Sequence, residues 1–213
     1  MSSNQSPLKI QNQTYITAIL FIDIAAIFFT VYHTQIIPLL AFRLLTLNTG
    51  LCVAGGAVFT LLINHSMPRW IKEIVVHLRV KDVQPACRAF SKRILKDKRI
   101  DVNALQKILG TFPTVADEQN RLWYRLFKQQ ESKASIQYAH QMYLLFRDGA
   151  SISLMIFLLF TLPLFLYAPS TATASILGLM FAQYIIFVIA ASNSGNSLVD
   201  NVLAEASVST ITV

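Results

Sequence analysis

The positive charge of this 213-residue chain is confined to one stretch, and this restricts the fold more than any other feature. Residues 65–148 contain 16 of the 18 Lys and Arg residues and 8 of the 11 Asp and Glu residues, so they carry a net charge of +8. The whole chain carries +7, so the sequence on either side is almost uncharged, and it is strongly apolar. A basic segment between two apolar regions is typical of a membrane protein with one central soluble domain.

The overall composition agrees with a membrane protein. Charged residues make up 14% of the chain and hydrophobic residues 54%, whereas about a quarter of the residues of an ordinary globular protein are charged. The only two cysteines, Cys52 and Cys87, lie in different regions. They indicate no disulfide framework, and their spacing from the histidines indicates no zinc site.

Four apolar runs are long enough to cross a bilayer as helices. The first contains 19 residues, which cover about 28 Å, close to the hydrocarbon thickness of a membrane. The predicted spans are residues 14–32, 39–63, 150–167 and 173–191. Because the links within each pair are short, the spans form two antiparallel hairpins.

These observations predict an all-α membrane protein in which two transmembrane helical hairpins flank a basic cytoplasmic helical domain. Its parts are an N-terminal tail with the first hairpin (1–64), the basic domain (65–148), the second hairpin (149–191) and a cytoplasmic C-terminal tail (192–213). The links within the hairpins contain no Lys or Arg, so the positive-inside rule places the domain and both termini in the cytoplasm.

Hydrophobic periodicity and capping residues predict three helices in the first half of the basic domain. One begins at Pro68, which suits the first turn of a helix. A second spans residues 83–95 behind Asp82 as its N-cap, and a third follows Asp101 and stops at Gly110.

The second half of the domain is predicted to be one long helix. It follows a loop at residues 111–114, begins at Thr114 or Asp117 and continues through Gly149 into the third span. After the fourth span, a small polar segment leads to a short amphipathic helix that begins at Leu198.

Three polar residues, Asp23, Asn48 and Gln183, lie within the predicted spans. A carboxylate at the centre of a span costs roughly 2.5–3.5 kcal/mol, so Asp23 is expected to face other helices or a subunit interface. Asp23 and Gln183 each lie roughly 13–15 Å from the end of their span, at the same depth. We therefore expect a hydrogen bond between them; alternatively, Asp23 bonds only a nearby Thr or a backbone carbonyl.

No catalytic motif accompanies these features. A nucleophile elbow, a Walker loop, a dinucleotide-binding glycine pattern, HExxH and EF-hand spacing are all absent from the sequence. We expect no enzymatic activity, no cofactor and no metal.

The basic domain contains a candidate face for a partner or trigger. Aromatic residues beside arginines can stack on nucleic-acid bases, although they can equally pack the domain or meet the membrane surface. A histidine on the same helix can either sense pH or simply pack. The candidate residues are Arg121, Trp123, Tyr124, Arg125, His140, Arg147 and Asp148.

The layout, with Leu-Trp-Tyr-Arg-Leu-Phe at residues 122–127 and His-Gln-Met-Tyr-Leu-Leu-Phe-Arg-Asp at residues 140–148, resembles the small four-span membrane effectors of bacterial anti-phage defence. These belong to nucleotide-signalling operons or to retrons. The resemblance implies a homo-oligomeric protein of the bacterial inner membrane that stays dormant until a cytoplasmic sensor triggers it, and then disrupts the membrane. In a retron the sensor would be a reverse transcriptase with its nucleic acid.

Two other functions fit the same size and number of spans. A bacteriocin immunity protein would protect the membrane against an incoming toxin. A small transporter subunit would need polar residues that converge at one depth, for which Asp23, Asn48 and Gln183 are the candidates.

Overall fold

The computed structural model describes residues 12, 14–19, 21–27, 55, 58, 62, 66–167 and 170–208. This part of the chain is helical and contains no strand, which confirms the all-α prediction. Its helices are α1 (Thr14–Ile27), α2 (Arg69–His77), α3 (Val102–Leu109), α4 (Ala116–Gln130), α5 (Ala134–Tyr167) and α6 (Ser170–Val208).

The predicted α-helix at residues 83–95 is wrong, because the chain there forms a 3-10 turn (Pro85–Arg88) and then a π turn (Ala89–Arg93). Asp82 is not an N-cap and has a positive φ of 50°. The buried Gln119 side chain accepts hydrogen bonds from the backbone N–H groups of Phe90 and Ser91, both at 3.1 Å. An α-helix would use these two donors internally, so this contact favours the irregular turn.

Helix α3 has the predicted limits. The Asp101 carboxylate accepts a hydrogen bond from the Ala104 backbone N–H at 3.0 Å, which satisfies one of the free donors of the first turn. Gly110 ends the helix with a φ of 73°, a conformation that glycine adopts without the strain of a side chain. The predicted loop at residues 111–114 is also confirmed.

The predicted single helix from residue 114 or 117 into the third span is wrong in two respects. Val115 is the N-cap of α4 and supplies no side-chain bond, so neither Thr114 nor Asp117 caps it. A turn at residues 131–133 separates α4 from α5. The Lys133 and Ser135 side chains on either side of the α5 start each donate to a Glu205 oxygen at 2.8 Å, which fixes this turn against α6.

Helix α5 continues through Gly149 as predicted. A Cβ atom at this position would come within 3.0 Å of the Phe187 ring, so glycine allows α5 and α6 to pack closely. The predicted polar break after the fourth span is wrong, because α6 is one helix through residues 192–197. Gly195 in this segment is buried against the Tyr143 ring, 3.1 Å from the position of a Cβ.

The chain divides into two compact units. Unit 1 comprises Met1–Lys72 with Arg147–Phe187, and unit 2 comprises Glu73–Phe146 with Val188–Val213. Helices α5 and α6 each supply residues to both units. Unit 2 therefore contains most of the predicted basic domain (65–148) together with the whole of the predicted tail (192–213).

The hydrophobic core of unit 2 is built from buried side chains of the irregular turns and of α3 to α6. The C-terminal end of α6 lies in this core with the helices of the basic stretch. The main contributors are Phe90, Leu105, Trp123, Phe127, Ile136, Val199, Val202 and Leu203.

Two of the helices, over Ala134–Leu166 and Thr173–Val208, are long and apolar enough to cross a membrane, and the shorter α1 is also apolar. The predicted second span at residues 39–63 falls outside the described residues except at three positions. Asn48, the link at residues 33–38 and Pro169 of the second link also lie outside them.

Candidate functional site

A set of three polar side chains joins the apolar helices of unit 1. The Gln183 Nε2 atom donates to the Asp23 Oδ2 atom at 2.8 Å, so the hydrogen bond predicted from span depth is present. The same nitrogen lies 3.3 Å from the Ser153 hydroxyl oxygen. One amide thus connects α1, α5 and α6, and we call Asp23, Ser153 and Gln183 the polar set.

Ser153 was not predicted as a member of the polar set. Its side chain is buried, at 4% exposed, whereas Asp23 and Gln183 are partly buried. A serine within an apolar helix is common because its hydroxyl can bond a backbone carbonyl of the preceding turn, as Ser151 does with Arg147. Ser153 differs from a serine that bonds only its own helix because the Gln183 amide nitrogen lies next to its hydroxyl.

A second polar cluster in unit 1 lies where the apolar part of α5 begins. The Asp148 Oδ1 atom accepts hydrogen bonds from Arg147 Nη2 at 3.0 Å and from Lys72 Nζ at 3.3 Å. Both cations are buried, at 6% and 7% exposed. Two buried cations on one carboxylate need close pairing, since an unpaired buried charge costs several kcal/mol. Lys72 was not predicted as part of this cluster.

The candidate partner face divides between the two units. Arg147 and Asp148 belong to unit 1, and the remaining candidates belong to unit 2. On α4, Arg121, Tyr124 and Arg125 are exposed. These three side chains form the part of the predicted face that a partner can reach.

Trp123 cannot serve as a base-stacking residue on that face because it is 8% exposed and lies in the core of unit 2. Its ring stacks on the Phe127 ring, with centroids 5.5 Å apart. His140 packs its ring edge against the same Phe127 ring at 5.3 Å. Both side chains therefore pack against the Phe127 ring, whereas Tyr124, next to Trp123 on α4, is 51% exposed.

His77 occupies a distinctive position at the end of α2. Its ring stacks on Tyr143 with centroids 6.3 Å apart, and its buried Nε2 atom has no hydrogen-bond partner in the described part of the chain. Burial lowers the pKa of His77 to about 4; Glu73 opposes this shift, and the cations Arg88 and Arg79 add to it.

Ion pairs attach the last part of α6 to the rest of unit 2. The Arg93 guanidinium makes a two-pronged pair with Asp200, in which Nε lies 2.8 Å from Oδ1. The Lys133 ammonium pairs with Glu205 at 2.8 Å. Neither pair was predicted from the sequence. The feature that could have indicated them is that Asp200 and Glu205 are the only acidic residues after residue 148.

No group of three or more His, Cys, Asp or Glu side chains able to hold a metal ion occurs among the residues that the structure describes. Comparisons of the chain with protein-family models, with curated proteins and with solved structures found no match.

Proposed function

We propose that this chain is a multi-pass protein of the bacterial inner membrane that permeabilises or depolarises the membrane when a cytoplasmic sensor triggers it, in anti-phage defence. The observation that carries the proposal is the polar set, in which one amide donates to a carboxyl group and to a hydroxyl group within apolar helices. Polar groups at membrane depth are costly and mark ion or water pathways.

The exposure of the apolar helix α6 supports the membrane placement. Only 17% of its most apolar 18-residue stretch is buried by the rest of the chain. Large side chains such as Leu179 and Ile186 are 71% and 65% exposed. The central helix of a soluble protein would bury most of this surface, since exposed apolar area costs roughly 25 cal/mol per Å² in water. Lipid and further copies of the chain are the environments that fit it.

The polar set is the site at which we place the opening. While Gln183 bridges Asp23 and Ser153, one amide joins polar side chains of three helices. Separating the helices would leave a carboxyl and an amide without partners, and in hydrocarbon only water or a second chain can replace them. Separation of the helices at the polar set would thus favour a water-filled path between them.

Unit 2, which contains most of the basic stretch, is suited to receive the trigger. Its exposed Arg121, Tyr124 and Arg125 offer cations beside an aromatic ring, which fits an acidic protein surface or a nucleic acid held by a sensor. Because α5 and α6 contribute residues to both units, a change in unit 2 has a direct helical connection to the apolar residues. The resemblance to anti-phage effectors supports this arrangement.

Substitutions at Asp23 test the proposal. On inducible expression in bacteria, a dye that reports membrane potential should show depolarisation with the wild type. Asp23→Asn should preserve folding and change the rate of depolarisation, because it keeps a hydrogen-bonding group but removes the ionisable one. Asp23→Leu should weaken oligomerisation as well.

The matched control is Thr161→Val. This change also removes a polar group from an apolar helix, but Thr161 bonds only the Phe157 carbonyl of its own helix among the contacts described, so depolarisation should stay at the wild-type rate. If Asp23→Leu assembles and depolarises like the wild type, the role given to the polar set is wrong.

A small transporter subunit is the second candidate function, because the convergence of Asp23, Ser153 and Gln183 is also what a proton or ion pathway requires. The same expression experiment separates the two functions. Growth arrest with loss of potential supports an effector. Normal growth, with proton or ion movement that depends on an added solute, supports a transporter.

A further inference from the structure

The loop that follows α2 exposes apolar and basic side chains in alternation. It comprises Leu78, Arg79, Val80, Lys81 and Asp82, and we call it the 78–82 loop. Leu78 is 69% exposed and Val80 is 86% exposed, and both cations between and after them are exposed as well. Two large apolar side chains at such exposure within one short loop make the loop a candidate contact surface.

The structure holds this loop in a projecting conformation. Leu78 and Asp82, at its two ends, have φ values of 49° and 50°. This left-handed region is unfavourable for a residue with a side chain such as leucine. The Leu78 N–H still bonds the Ile74 carbonyl at 2.8 Å, and the Arg88 guanidinium donates to the Asp82 carbonyl at 3.0 Å. The exposure of the loop is therefore maintained by contacts at both ends, and backbone strain of this kind is often associated with function.

We propose that the 78–82 loop docks on the anionic surface of the membrane that carries the chain. Leu78 and Val80 enter the interface between headgroups and acyl chains, and Arg79 and Lys81 lie at lipid phosphates. This is the arrangement by which amphipathic surface segments bind membranes: apolar groups contribute burial, and each cation near an anionic surface adds about 1 kcal/mol. The inference rests on the proposed function only for the membrane placement.

The composition of the loop favours lipid over the other anionic partners. A nucleic acid offers phosphates to the two cations but no apolar surface to Leu78 and Val80, and the loop has no aromatic side chain that can stack on a base. A membrane offers phosphates to the two cations and an apolar environment to Leu78 and Val80 within one interface. The bilayer is also near along the chain, because α2 has nine residues and a length of about 13 Å, and it begins six residues after the predicted end of the second span.

Depth measurements on the full chain test the docking. In a background with Cys52→Ser and Cys87→Ala, nitroxide labels are attached at Val80→Cys and, as a control, at Leu95→Cys. Leu95 is 76% exposed and is also followed by a lysine, but it lies outside the 78–82 loop, whose two ends have a positive φ. In nanodiscs containing phosphatidylglycerol, the label at 80 should be shielded from a water-soluble nickel chelate and reached by oxygen. The label at 95 should remain open to the chelate.

The contribution of charge is measured with the same label. Arg79→Gln with Lys81→Gln should lower the docking constant about 30-fold, since two contributions of the stated size are removed. The control, Lys96→Gln with Lys98→Gln, makes the same change in net charge and should leave docking unchanged.

Equal chelate access at positions 80 and 95 in anionic nanodiscs would overturn the proposal and leave the loop available to a protein partner. An equal docking constant in the wild type and in the variant with Arg79→Gln and Lys81→Gln would overturn the proposed preference of the loop for an anionic surface. These outcomes are separate from the test of the proposed function: a chain whose loop docks but that does not depolarise cells contradicts the effector function alone.

Discussion

At the scale of single residues, His77 shows how burial changes a group that the sequence presents as ordinary. Four histidines are scattered along the chain, and nothing in their spacing distinguishes one from another. His77 differs because it stacks on Tyr143 and loses most of its water, which lowers its pKa to about 4 from 6.5. The charged form is therefore disfavoured in the folded chain.

This shift predicts a loss of stability in acid. Between pH 6.5 and about 4 the unfolded chain binds a proton at His77 that the folded chain does not. The contribution of neutral His77 to the free energy of unfolding is therefore complete above pH 6.5 and is lost as the pH falls toward 4. The loss is less than about 1.4 kcal/mol per pH unit, because the ring is partly solvated. Thermal unfolding of the solubilised protein followed by circular dichroism measures this loss.

The His77→Gln variant is the control, because glutamine keeps a polar side chain but does not titrate. Its unfolding temperature should fall less over the same pH range than that of the wild type. An equal fall in the two proteins would show that His77 is not the group responsible.

At the scale of elements, the capping predictions for α3 and α4 had opposite outcomes. Asp101 begins α3 as expected, whereas neither Thr114 nor Asp117 caps α4. The difference is a tertiary contact: the Gln119 amide donates to the Thr114 carbonyl at 3.1 Å and accepts from the irregular turn. Gln119 thereby organises the start of α4 from within the helix.

We predict that Asp101→Ala lowers the free energy of unfolding by about 1 kcal/mol, because the Ala104 N–H loses its acceptor. Thr114→Ala is the matched control and should change it by less than about 0.5 kcal/mol, since it retains the carbonyl that Gln119 uses. Denaturant unfolding of the solubilised chain measures both. A loss at Thr114 as large as that at Asp101 would contradict the assigned caps.

At the scale of the whole molecule, the distribution of charge predicts topology. A reporter enzyme placed after Val213 or within residues 111–114 should be active in the cytoplasm, because the Lys- and Arg-rich stretch is retained there. A reporter within residues 34–37 should be active in the periplasm. The 111–114 loop is well suited to an insertion, since it lies between α3 and α4 and outside both helices. A periplasmic signal from this loop would refute the arrangement.

The sequence by itself determined the features that depend on local pattern or on regular helical rise. These are the helical class, the two long apolar helices, the limits of α3 and the continuation of α5 through Gly149. The bond between Asp23 and Gln183 belongs here too, although they are 160 residues apart. Their equal depth in the predicted spans was an expectation from counting about 1.5 Å per residue from each end, which needs no knowledge of packing.

Only the tertiary structure decided the features that depend on contacts between distant side chains. Gln119 takes the donors of Phe90 and Ser91 and so converts a predicted α-helix into irregular turns. Glu205 bonds the residues on either side of the α5 start, where a single helix was expected. The burial of Trp123 likewise depends on which face of α4 meets the core. Local propensities differ by less than about 1 kcal/mol per residue, so a few such contacts outweigh them.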